Sequence, residues 1–209
     1  MKNLKLEMHF AAAAALCVAG AANAAVVYSG AVNFACAIDI DGTYINVETG
    51  QLSSGPGSGV PGWDVNPYRA SSGSGMNFFS PTGGGMVSAA AGVGSAINLA
   101  GGASIGSTSN FSSSTTTVVF GSGAGQWQYG TTNIVGFRFV GADGQTRYGW
   151  MRFLMGAQPA TGNLVTRTVV DYAYESVAGA SILAGNTGIP APGALALLGV
   201  AGLASRRRR

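Results

Sequence analysis

The chain has 209 residues, of which 34 are Gly and only 9% are charged, with a formal net charge of +3. Nine Phe, seven Tyr and three Trp exclude a solvated, disordered coil. The basic excess sits wholly at the ends, in Lys2, Lys5 and Arg206 to Arg209; residues 25–188 carry five Arg, no Lys and seven acids, which leaves no electrostatic footprint for nucleic acid.

At the N-terminus, Lys2 and Lys5 precede an apolar stretch, Phe10 to Ala22, of 13 residues. That is too short to span a bilayer and suits the helical core of a secretory signal peptide. Ala22-Asn23-Ala24 is a small-x-small cleavage site, which predicts a cut between Ala24 and Ala25. Residues 1–24 therefore read as a signal peptide, and its partners would be the Sec machinery and signal peptidase. Cys17 lies within the apolar stretch behind Leu16, so it does not fit a lipid-anchor site. Cys36 would be the only Cys of the mature chain, flanked by Ala35 and Ala37, and reads as a small buried hydrophobe.

Residues 25–185 read as one all-β domain, an antiparallel β-sandwich of jelly-roll type. Its first part, Val26 to Gly50, contains two apolar runs around Asp41-Gly42, the signature of a tight hairpin. The same Asp39-Ile40-Asp41-Gly42 string also hints at calcium, although its Gly comes too early for an EF-hand loop. From Gln51 to Gly125 the chain is rich in Gly, Ser and Thr, with strands predicted at Met76–Phe79 and Thr116–Phe120. Turns are expected at Gly55-Pro56-Gly57 and Pro61-Gly62, and residues 88–106 read as a short helix or a loop.

The clearest strands follow: Asn133 to Val140, Thr146 to Met155 and Asn163 to Ser176, separated by turns at residues 141–144 and 156–162. Alternation places Tyr148, Trp150, Arg152 and Leu154 on one face of the middle strand, with Gly149, Met151, Phe153 and Met155 on the other. In the last strand it sets Leu164, Val170, Tyr172 and Tyr174 against Val165, Arg167, Val169, Asp171 and Glu175. Tyr148, Trp150, Tyr172 and Tyr174 are thus candidates for stacking on sugar rings, or for packing the core and stiffening cross-strand pairs.

Residues 186–209 read as a linker and a tail. Pro190-Ala191-Pro192-Gly193 opens it, an apolar run of 12 residues from Gly193 to Ala204 follows, and Arg206, Arg207, Arg208 and Arg209 close it. Twelve residues of helix extend about 18 Å, short of a hydrocarbon core of about 30 Å. The Arg cluster should stop transfer and stay cytoplasmic. A plain membrane anchor and a processed sorting signal both fit this order.

The inventory of reactive groups is thin. His9, the sole His, falls in the signal peptide, so the mature chain lacks the commonest general base and a common metal ligand. Ser-His-Asp, Cys-His and His-based zinc sites are thereby excluded, and no catalytic residue, metal or cofactor is expected. Paired carboxylates for glycoside hydrolysis remain open in principle among seven acids.

The tail resembles the PEP-CTERM sorting signal in its Pro-x-Pro motif, short apolar helix and terminal Arg cluster, here in a Pro-Ala-Pro-Gly form that lacks the usual central Glu. The strings GFRF, GQTRYGWMRF, VVDYAYES and ILAG, with Gly42 to Val47 and Gly62 to Tyr68, are similar to the body of secreted PEP-CTERM-bearing proteins. The resemblance implies recognition by an exosortase-like enzyme and transient anchoring in the inner membrane. It also implies a place at the cell surface or in the extracellular matrix, and it carries no catalytic residues. The expected function is a non-enzymatic surface protein, structural or in contact with exopolysaccharide. A carbohydrate-binding module is the alternative and a glycoside hydrolase the third reading.

Overall fold

The computed structural model describes residues 25–56, 59–70, 75–89, 94–159 and 164–188. The expected signal helix and C-terminal apolar helix lie outside these residues. So do Ala22, Ala24, Pro190, Ala191, Pro192, Gly193 and Arg206 to Arg209; Ala25 lies within them. The described residues form an almost wholly β structure with essentially no helix.

Its strands, in chain order, begin with β1 (Val26–Tyr28), β2 (Phe34–Ala35), β3 (Thr43–Ile45), β4 (Leu52–Ser54) and β5 (Asn66–Tyr68). Next come β6 (Asn77–Ser80), β7 (Gly85–Val87), β8 (Ser95–Ala96), β9 (Ser104–Ile105) and β10 (Phe111–Ser112). The series ends with β11 (Ser114–Val118), β12 (Thr132–Val140), β13 (Thr146–Met155), β14 (Arg167–Glu175) and β15 (Ile182–Leu183). A seven-stranded antiparallel sheet has the order β1-β14-β13-β12-β7-β10, with β2 also paired to β14. A four-stranded sheet runs β5-β6-β11-β8, and β15-β9 and β3-β4 form two small pairs. Among the described strands only β8 pairs in parallel, with β11, and an isolated parallel bridge joins Phe120 to Trp127.

The large sheet is built on the β12-β13-β14 ladder, where strong alternation and the turn at residues 141–144 specify the register. Gly141 and Gly144 close that turn, with the Gly144 amide donating to the Gly141 carbonyl. Met151, Phe153 and Met155 face a core shared with the four-stranded sheet, where Phe78 packs edge-on against Phe153 at 5.5 Å between centroids. Gly149 belongs to this face for a steric reason. A Cβ there would lie 2.4 Å from the Phe137 ring, so the missing side chain is what lets Phe137 cross the sheet.

Two sequence expectations need correction. The alternation in the last strand is broken by a β-bulge: Arg152 pairs with Asp171, but Phe153 pairs with Val169, leaving Val170 as the extra residue. Val169, Tyr172 and Tyr174 therefore share the main core instead of lying on opposite faces. The second correction concerns Asp41-Gly42. Gly42 has the positive φ of 71° that the turn needs, but the Asp39 carboxylate takes its amide at 2.7 Å. The chain then runs on, so that β3 pairs with β4 and β2 pairs with β14, with no hairpin across Gly42. A Cβ on Gly42 would also meet the Pro67 carbonyl oxygen at 2.4 Å.

The described part of residues 88–106 forms neither helix nor plain loop, because it contributes β8 and β9. Together with β15 this segment covers the second face of the large sheet. There Val87, Ile105, Phe111, Tyr148, Trp150 and Ile182 make a smaller apolar cluster. Both faces of the central ladder are thus largely covered.

Candidate functional site

The four rings proposed for sugar stacking do not form one exposed face. Tyr148 and Trp150 lie under the second layer, and Tyr172 and Tyr174 point into the main core. Their exposures are 7%, 0%, 3% and 8%, so none offers a free ring face. The physical reason is the cover just described: β9 and β15 close one face of the ladder, and the four-stranded sheet closes the other. The Trp150 indole N–H is spent on the Asn186 carbonyl at 2.9 Å.

The structure instead brings together rings that the sequence scatters. Tyr44 on β3, Trp63 in the turn before β5, and Phe79 on β6 meet at the outer surface of the four-stranded sheet. The Tyr44 and Trp63 rings lie 5.0 Å apart, edge to face at 76°, and the Trp63 and Phe79 rings lie 5.9 Å apart. Phe79 is 40% exposed and Ile40 beside it 65%. With Asp41, Asn66 and Tyr68 they line a groove of about 250 Å³. A second cleft of about 190 Å³ opens on the other side of Trp63, between Asp64, Pro81, Thr82, Gly84 and Phe139.

Local structure explains why Trp63 stands where it does. Asn46 donates its Nδ2 to the carbonyls of Pro61 and Gly62, both at 3.0 Å, and so clamps the turn. The Asn46 Oδ1 in turn accepts the amides of Glu48 and Thr49. Asp64 follows: its carboxylate accepts the Val47 amide at 2.9 Å, and its own amide donates to the Ile45 carbonyl at 2.8 Å. Burial pushes the Asp64 carboxyl up to about 7, opposed by the Val47 amide and reinforced by the negative charge of Glu48.

Polar atoms rim the groove. Asn66 donates to the Asp41 carbonyl at 2.8 Å, and its buried Oδ1 has no protein partner. On the adjacent register pair Asn77 donates to the Tyr68 hydroxyl at 3.3 Å, which lies 3.2 Å from the Thr115 hydroxyl. The groove thus combines an aromatic wall with hydroxyl, amide and carboxylate groups. Such a lining suits a ligand with apolar ring faces and hydroxyl edges. Nothing in the sequence ranked Trp63, Tyr44 and Phe79 above other aromatics. The one available signal was a Trp directly after Pro61-Gly62, alternating with Asp, Asn and Tyr.

The other acids are occupied structurally. Asp171 is buried, accepts from Arg152 Nε at 2.6 Å and Tyr28 Oη at 2.7 Å, and is also paired with Arg152 Nη2. Asp143 takes both Arg147 Nη groups at 2.7 Å, which holds its carboxyl far below the usual range. Glu48 accepts the Ala142 amide, Glu175 the Val177 amide and Asp39 the Gly42 amide. Only Asp41 among the acids lines the aromatic groove, exposed at its edge. Among the described residues no three His, Cys, Asp or Glu side chains converge on a metal-sized space. Asp39 and Asp41 accordingly sit in a turn without a third carboxylate. Cys36 is buried, and desolvation pushes its thiol up to about 11. No helix among the described residues is long and apolar enough to cross a membrane.

No family model, no curated protein and no solved structure matches this chain.

Proposed function

We propose that this chain is an exported, surface-sorted, non-enzymatic β-sandwich of jelly-roll type that binds a neutral extracellular polysaccharide through the Trp63 groove. The observation that carries this reading is the aromatic wall of half-buried Tyr44 and Trp63 and exposed Phe79, with hydroxyl and amide groups along its rim. Sugar rings stack their apolar faces on such walls and direct hydroxyls to polar neighbours. The groove lining contains no cation, and the Asp41 carboxylate disfavours acidic glycans. The non-enzymatic reading rests on the absence of His from residues 25–188 and on six of their seven acids being held in structural contacts. Export by the Sec machinery and signal peptidase, and sorting by an exosortase-like enzyme, rest on the two terminal segments and their resemblance to known signals.

The test is pull-down of residues 25–188 with insoluble cellulose, chitin and xylan, and gel-shift with soluble neutral and acidic polysaccharides. At least one neutral glycan is expected to bind, and Trp63→Ala to weaken it by tenfold or more with little change in melting temperature. Binding that is indifferent to Trp63, or confined to acidic glycans, contradicts the reading.

A further inference from the structure

Phe120 and Tyr129 form a second aromatic surface. Their rings stack in parallel, 4.1 Å apart and 7° from coplanar, at the margin of the main core. They line a cavity of about 590 Å³ whose floor is Trp127 and whose polar lining is Ser122, Gln128 and Gln158. That volume lies within the range of small-ligand clefts, about 300–1,000 Å³, and exceeds that of the Trp63 groove.

Three features point to the class of ligand. The lining holds no charged side chain, so a charged peptide, a phosphate or a nucleotide would find no counter-charge. Its polar side chains are two hydroxyls, of Ser122 and Tyr129, and two primary amides, which both donate to and accept from sugar hydroxyls. The rim is also preformed. The Trp127 amide donates to the Val119 carbonyl at 2.9 Å and the Gly121 amide to the Trp127 carbonyl at 3.0 Å. Gln126 closes the loop between them by accepting the Gly123 amide at 2.8 Å, and the Trp127 indole N–H is spent on the Ala96 carbonyl. A rigid rim lowers the ordering cost of binding.

The two surfaces are separate. Thr115 on β11 lies opposite Phe79, and Phe120 follows five residues later, about 17 Å further along the strand direction. Phe120 also continues the inward series of Thr116 and Val118, whereas Thr115 belongs to the outer face. One polysaccharide chain stacked on Trp63 therefore does not continue onto Tyr129 in the same plane.

We infer that Phe120, Tyr129, Gln128 and Gln158 form a second subsite for a neutral oligosaccharide, making the chain divalent and able to bridge two polysaccharide strands. This rests on the glycan reading of the Trp63 groove. Divalent binding converts modest single-site affinity into network formation through effective concentration.

Calorimetric titration of the full chain with cellohexaose and maltohexaose, a β-linked and an α-linked neutral glucan, tests it. The parent chain is expected to bind two molecules of at least one of them. Trp63→Ala, Tyr129→Ala and the surface variant Gln128→Ala/Gln158→Ala are each expected to bind one, with the remaining site unchanged within about twofold. The surface variant guards against misfolding caused by loss of the Tyr129 ring, and far-UV circular dichroism checks both. Mixed with hydroxyethylcellulose or soluble starch, whichever polymer matches the oligosaccharide bound, the parent should raise viscosity and each single-site variant should not. One molecule bound by the parent, lost in Trp63→Ala and untouched by both cavity variants, overturns the second subsite and leaves the first standing. Two molecules bound with neither affected by the cavity variants places the second site elsewhere and also overturns it. No binding of either glucan by the parent overturns the second subsite, while the Trp63 reading stands or falls on the pull-down with cellulose, chitin and xylan.

Discussion

Asp64 shows how much one residue can do here. It sits between Trp63 on the surface and Val65 in the core, and its carboxylate holds the Val47 amide. Its folded value of about 7 stands against about 4 in an unfolded chain, so the folded state binds an extra proton between these limits. A raised carboxyl penalises the folded state once it must ionise. The contribution of Asp64 is therefore most favourable below about pH 4 and is lost as pH rises through 7, by about 4 kcal/mol at most. Asp64→Asn keeps the acceptor and removes the charge. Its melting temperature is expected to match the parent at pH 4 and to exceed it at pH 8; differential scanning fluorimetry from pH 4 to 8 checks this. An unchanged slope in the variant would assign the pH dependence to other groups. Arg152 and Asp171 make the opposite case, since a buried carboxylate is stabilised by a half-exposed guanidinium that also lies over the Trp150 ring at 5.3 Å. Removing the cation leaves a buried charge unpaired, so Arg152→Ala is expected to cost about 3–5 kcal/mol in urea denaturation. A loss below 1 kcal/mol would mean that the pair behaves as a surface contact.

At the scale of elements, the segment after β14 matters most. The sequence reading starts a linker at residue 186, but Asn186 is held by Trp150, and β15 is paired with β9. The Gly102 amide donates to the Ala184 carbonyl and the Ala184 amide to the Ala103 carbonyl, at 2.9 and 2.8 Å. These bonds strap residues 182–186 across the second face of the large sheet and bury Ile182 and Ala184. Trp150→Phe keeps most of the apolar contact and removes the indole donor, worth about 1 kcal/mol. Amide exchange at Gly102 and Ala184 is then expected to speed up about fivefold, with protection in β12 unchanged. Equal exchange in parent and variant would show that β9 alone holds the strap. The strands themselves were legible unevenly. β13 has the bounds expected from its alternation, because a ten-residue pattern next to a Gly-rich turn leaves little freedom. The bulge at Val170 was not legible, because alternation counts residues and cannot tell where a partner strand skips one.

For the molecule as a whole, the start of β1 and the end of the strap lie side by side. Ala25 accepts the Ser176 amide at 3.0 Å, and Gly188 packs against Val26, where an added Cβ would lie 3.0 Å from the Val26 Cβ. Intact mass spectrometry of the exported protein is expected to show a chain beginning at Ala25; an export-competent chain that retains residues 1–24 would contradict the signal-peptide reading. The sequence by itself determined the charge balance, the confinement of the only His to residues 1–24, and the long strands of the central ladder. These follow from composition and local periodicity. Tertiary structure alone decided which aromatics stay wet. Tyr148, Trp150, Tyr172 and Tyr174 are adjacent in a two-strand pattern, yet layers drawn from residues 65–118 and 95–186 cover both of their faces. Tyr44, Trp63 and Phe79 are far apart in sequence and meet on an uncovered surface. Burial depends on what packs above a residue, and that partner comes from distant parts of the chain.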